Sequence, residues 1–212
     1  MTSSSPERRQ FLEREITIEG PAVSPLTINS KLLRQLNILP DIGDPGQEAS
    51  APVGAFVDYS DEGLKLFSQP EKLLVSESML KATGEESRIY KIATDYAATF
   101  SRPAYNSLEF TWRLAVERPD AREWLLSTFL SDVSWREQPY RLVHVHPRLR
   151  FETPDGVCIL WLSSPGRTRI EISSELRHSG PLDSPATLDA AIRRWPERKK
   201  ELVEILDAIG LR

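Results

Sequence analysis

The 212-residue chain predicts an α+β fold: a mainly antiparallel sheet with a three-strand meander at about 140–177, helices on one face, and a kinked C-terminal helix. Three observations carry this reading. The stretch NSLEFTWRLAVE alternates apolar and polar residues, as a strand with one buried face does. The segments YRLVHVHPRLRFE, VCILWL and RTRIEISSELR are separated only by TPDG and SSPG, and turns this short join antiparallel neighbours. The order of elements (strands, helix, strand, helix, three strands, helix) lacks the regular alternation of a doubly wound fold.

Along the chain, residues 1–10 are polar and charged and are expected to form a disordered tail, with 11–212 as a single domain. Ile16 and Ile18 alternate in a short strand that ends at Gly20-Pro21. Ser30 is placed as the N-cap of a helix from Lys31 to about Asn37. Residues 40–54 combine Pro, Gly and small polar residues, which predicts a flexible loop. AFVDY and LKLFS flank SDEG as a hairpin, and KLLVS extends it.

Ile89, Ile92, Ala93, Tyr96, Ala97 and Phe100 recur at helical spacing, predicting a helix from about Glu85 to Thr99. In the alternating strand, Leu108, Phe110, Trp112, Leu114 and Val116 share the buried face. A second helix follows, with Pro119 and Asp120 in its first turn. In the meander the middle strand is apolar throughout and is expected to be buried on both faces. Ser184 and Pro185 suit a helix start, and Pro196 must kink or split that helix before it stops at Gly210. No internal repeat is visible in the residues.

Composition narrows the function classes. Hydrophobic residues make up 40% and charged residues 27%, enough apolar surface for a core. The longest apolar run, Val157–Leu162, is far shorter than a bilayer span, so no membrane association is expected. A single cysteine, Cys158, excludes an internal disulfide and fits a reducing cytoplasm; the chain is expected to be a cytoplasmic protein of prokaryotic type. The net charge of −4 is uneven: residues 1–134 carry −6 and residues 135–200 carry +4. A basic segment in an acidic chain can mark an anion-binding surface.

That segment holds the candidate ligand-binding residues. Read as one strand, YRLVHVHPRLRFE sets His144, His146, Arg148 and Arg150 on one face, with Pro147 forcing an edge or a bulge. Arg167 and Arg169 are expected on the same outer face, where guanidinium forks suit phosphate and carboxylate groups. The His144/His146 pair also has the spacing for two metal ligands, with Glu171, Glu175 or His178 as a third. A second basic cluster, Arg193, Arg194, Arg198, Lys199 and Lys200, surrounds Trp195; the tryptophan is expected to pack inward and the charges to face water.

There is no G-x-S-x-G elbow, phosphate-binding glycine loop or dinucleotide fingerprint, so no catalytic residue and no cofactor is assigned. The leading expectation is a non-catalytic protein that recognises a protein partner. The alternatives are a binder of nucleic acid or a phosphorylated ligand through the arginine face, and a metal-dependent enzyme centred on His144 and His146.

Overall fold

The structure, a computed structural model, describes residues 8–21, 23–39, 42–82, 88–100, 105–130 and 145–211. Its strands are β1 (Arg8–Glu19), β2 (Gln47–Ala51), β3 (Gly54–Tyr59), β4 (Leu64–Gln69), β5 (Lys72–Ser78), β6 (Ser107–Glu117), β7 (Arg148–Thr153), β8 (Gly156–Ser163) and β9 (Arg169–His178). Its helices are α1 (Ser30–Gln35), α2 (Arg88–Thr99), α3 (Ala121–Phe129), α4 (Pro185–Ile192) and α5 (Trp195–Ala208). The strands form one antiparallel sheet in the order β2-β3-β4-β5-β1-β6-β9-β8-β7. The α+β fold with a mainly antiparallel sheet is therefore as the sequence predicts.

Alternation decides which face of the sheet is covered. Val57, Leu66, Val75, Ile16, Phe110, Leu176 and Cys158 occupy matching positions on successive strands and are all buried. They belong to one core with Leu33 of α1, Ile89, Ile92 and Tyr96 of α2, Leu125 of α3, Leu188 of α4, and Leu202 and Leu206 of α5. The helices thus cover one side, and among the described residues no helix covers the other. Trp195 of α5 stacks on Tyr90 of α2 at 4.6 Å between ring centroids, joining those two helices.

The topology also repeats where the residues do not. β1, α1, the β2–β5 strands and α2 are followed by β6, α3, the β7–β9 strands and α4–α5. In each half the first strand lies next to the last one, and the two first strands, β1 and β6, pair along the middle of the sheet.

Several local expectations change. β1 begins at Arg8, so it includes the last three residues assigned to the tail. β2 lies inside the stretch read as a loop; its residues are exposed on both faces, so no alternation marks it. Asn29, not Ser30, caps α1, its side chain accepting from the Leu32 N–H at 3.1 Å. α3 starts at Ala121, with Pro119 and Asp120 preceding it. The break at Pro196 is as expected: α4 ends at Ile192, and the proline sits in the first turn of α5. Gly156 opens β8 where a Cβ would lie 1.9 Å from the Arg177 carbonyl oxygen, so only glycine fits this approach.

The buried charge was the least expected feature. Arg198 of α5 is 1% exposed, against the expectation that this basic cluster faces water. Its guanidinium donates to Thr153 Oγ1 at 3.3 Å, to Glu201 at 2.9 Å and to the Asp155 carbonyl at 2.5 Å, tying α5 to the β7–β8 turn. In the other half, Arg14 of β1 meets Glu77 of β5 at 2.6 Å, and Arg88 of α2 donates to the same carboxylate at 2.8 Å. Each charge removed from water here has a partner, as the cost of burial requires.

Candidate binding face

The uncovered face is built by the other set of alternating residues, and the strand register orders them in rows. Gln47, Asp58, Lys65, Ser76, Glu15, Thr111, Glu175, Ile159 and Arg150 form one row across all nine strands. The next row reads Ala49, Phe56, Phe67, Leu74, Thr17, Glu109, Arg177, Val157 and Glu152. On the other side of the Glu15 row lie Ser78, Glu13, Arg113, Ser173, Trp161 and Arg148.

Two apolar areas flank a polar centre. Phe56 and Phe67 are neighbours on β3 and β4 and remain 37% and 38% exposed, with half-buried Leu74 beside them. Toward the other end, Trp161 lies in a groove of about 330 Å³ with Leu12, Arg113, His146, Glu171 and Ser173. Leu12 reaches this surface because β1 carries an irregularity between Phe11 and Glu13, the kind of bulge that re-aims a side chain. Between the two areas, Thr17 and Ser76 are short and buried at the floor.

The polar centre is acidic. Arg113 pairs with Glu13 at 3.1 Å, Lys72 with Glu19 at 3.4 Å, and Arg177 with Glu109 at 3.0 Å and Glu175 at 2.7 Å. Those three cations face these four carboxylates, and Arg113 and Lys72 also face Glu15, which has no salt bridge among the described residues. Burial pushes the Glu15 carboxyl up to about 7; Arg113 and Lys72 pull it down, while Glu13 and Glu109 push it further up. Glu109 is also raised, again chiefly by burial, with Glu175 adding to it.

The residues singled out in the sequence are dispersed by this geometry. His144 lies outside the described residues. His146 is exposed in the segment before β7, not in a strand, because Pro147 has no N–H for a ladder and β7 begins only at Arg148. The Pro147 carbonyl instead accepts from Leu162 N–H at 3.0 Å. Arg148 and Arg150 do share the open face; Arg148 lies over the Trp161 ring at 5.3 Å. They line a groove of about 490 Å³ with Arg177, His178 and the apolar Val157 and Ile159.

Arg167 is exposed in the β8–β9 connection, and Arg169 at the start of β9 sits 3.5 Å from Glu171, so neither joins that groove. The middle strand of the meander is buried on its core face at Cys158, Leu160 and Leu162. On the open face Ile159 is buried, but Val157 and Trp161 are only half-buried. Cys158 is fully buried, and that burial pushes its thiol up to about 12, which makes it a core residue rather than a nucleophile. Among the described residues, no group of three or more His, Cys, Asp or Glu side chains is placed to hold a metal ion. No described helix is long and apolar enough to cross a membrane.

Glu15 was missed from the sequence. The alternation of Glu13, Glu15, Thr17 and Glu19 against Ile16 and Ile18 was visible, but not that Glu109 and Arg113 stand alongside.

No protein family and no curated protein matches the chain. Among solved structures, Methanococcus jannaschii TBP is similar at a TM-score of 0.36 and 12% identity, over 95% of this chain and 98% of that chain. A likeness of that size carries no argument about function.

Proposed function

We propose that this is a non-catalytic binding protein whose open sheet face receives a protein partner. The observation that supports the reading is the pair of Phe56 and Phe67, more than a third exposed on a sheet face that no described helix covers. Adjacent aromatic side chains left in water mark interaction surfaces, because burying them gains free energy that the isolated chain forgoes. A rigid nine-stranded platform loses little entropy on docking.

The test is site-specific photocrosslinking in the native host. A photoreactive residue is placed at Phe67 or Trp161 on the open face, and at Lys91 or Glu204 on the helix side. Discrete adducts confined to the open-face positions are expected. Equal or absent crosslinking at all four positions refutes the reading.

A second reading rests on the arginine groove, where Arg148 and Arg150 have no carboxylate partner among the described residues. It takes a phosphate-bearing ligand, for which guanidinium forks are suited. Titration with an oligonucleotide at two salt concentrations tests it: a steep salt dependence that Arg148→Glu abolishes supports it, and no binding at low salt removes it.

A further inference from the structure

Resting on the partner reading, we propose that the open face binds a protein segment that sets a lysine or arginine on Glu15 and lays apolar side chains on Phe56, Phe67 and Leu74. The two contacts are neighbours. Leu74 of β5 pairs with Thr17 of β1, and Glu15 is the next residue on that face of β1. Phe67 and Glu15 stand two strands and two residues apart, about 12 Å at the usual strand spacing and rise. Thr17 and Ser76, each 4% exposed, floor the interval with short side chains, so one continuous segment can reach both contacts.

Charge selects the occupant. The cations near Glu15 are already engaged: Arg113 of β6 by Glu13, Lys72 of β5 by Glu19, and Arg177 of β9 by Glu109 and Glu175. Glu15 is left as the carboxylate without a counter-ion among them. A partner cation placed there supplies the opposite charge that its own fold withholds, in surroundings where screening by water is reduced. A nucleic acid would bring phosphates onto this acidic centre, and a second copy of this face would bring the same carboxylates. Both arrangements set like charges against each other, which disfavours them.

The elevated carboxyl of Glu15 fits this picture and gives a second readout. A cation holds the ionised form, so binding must strengthen as pH rises from 5 to 8. The groups facing Glu15 through this range are Glu13 on its own strand, Glu109 and Arg113 of β6, and Lys72 of β5.

The experiment pans a library of random linear 12-residue peptides against the intact chain. It then measures synthesised winners by fluorescence anisotropy. Enriched peptides are expected to combine lysine or arginine with apolar residues. Glu15→Gln and Phe67→Ser should each weaken them at least tenfold, Lys91→Ala should leave them unchanged, and affinity should fall on going from pH 8 to pH 5. Acidic winners, no enrichment, or indifference to Glu15→Gln overturns the inference. If crosslinks still map to the open face but the partner ignores Glu15→Gln and Phe67→Ser, this inference fails while the partner reading stands. If the open face gives no crosslinks, both fall.

Discussion

Replacing Glu15 with glutamine should stabilise the protein at pH 8 and do little near pH 4. In the fold its carboxyl titrates near 7 instead of the ordinary 4.5, mainly because it is buried. The folded state therefore holds the proton more tightly than the unfolded chain does. Below pH 4.5 both states are protonated and Glu15 costs nothing. Between 4.5 and 7 the unfolded chain ionises first, so stability is lost steadily; above 7 the loss is constant. A displacement of this size corresponds to roughly 3 kcal/mol at about 1.4 kcal/mol per pH unit. Glu15 remains partly in contact with water, and screening reduces the figure to on the order of 2 kcal/mol. Glutamine keeps the shape and removes the charge.

The assay is urea unfolding of wild type and Glu15→Gln at pH 4 and pH 8, comparing midpoints at equal slope. The expected result is a variant more stable at pH 8 by on the order of 2 kcal/mol, with the gap closing toward zero at pH 4. Equal stability at both pH values would show that Glu15 is solvated, and the picture of a strained acidic centre would fail.

Three further outcomes are expected. Arg198→Ala should cost about 3–5 kcal/mol by urea unfolding, since it strips Glu201 and the Asp155 carbonyl of a buried donor; Arg198→Met keeps the stem and should recover part of that. A loss below about 1 kcal/mol would mean the guanidinium reaches water. Gly156→Ala should lower the melting temperature and speed amide exchange at the end of β9, because its methyl group would meet the Arg177 carbonyl; unchanged exchange there would contradict the close approach. His146→Ala should leave stability within about 1 kcal/mol of wild type, as an exposed position does. A larger loss on calorimetry would reveal a structural role for the imidazole.

What could be read in the sequence was what burial writes into it. β6 shows its alternation because one face lies in the core, and the β3–β4 hairpin shows because Ala55, Val57, Leu64 and Leu66 face inward around a turn closed by Gly63. β2 left no such mark, since Gln47–Ala51 buries neither face and owes its strand to pairing with β3. Arg198 looked like one of five surface cations; only the approach of the Pro154-Asp155 turn makes it an interior one. Of the histidine–arginine face, Arg148 and Arg150 stand together on β7, His144 lies outside the described residues, and His146 precedes the strand because Pro147 has no N–H for a ladder. The acidic centre was hidden for a different reason. Glu15 and Glu109 are 94 positions apart, and no local pattern says that β1 and β6 lie side by side.

That central pairing also sets a schedule for synthesis. β5 can join β1 once Ser78 has emerged from the ribosome, but β6 must wait until Glu117, roughly forty residues later. At about 5–20 residues per second this leaves a few seconds in which β1 to β5 are paired and the far edge of β1 has no neighbour. β1 is twelve residues long, and during that interval its hydrogen-bonding groups and the apolar Ile16 and Ile18 stand at an open border. Two nascent chains on one message would present identical borders to each other. Glu13, Glu15 and Glu19, on one face of β1, put like charges on that border, a brake on premature pairing between chains until β6 arrives.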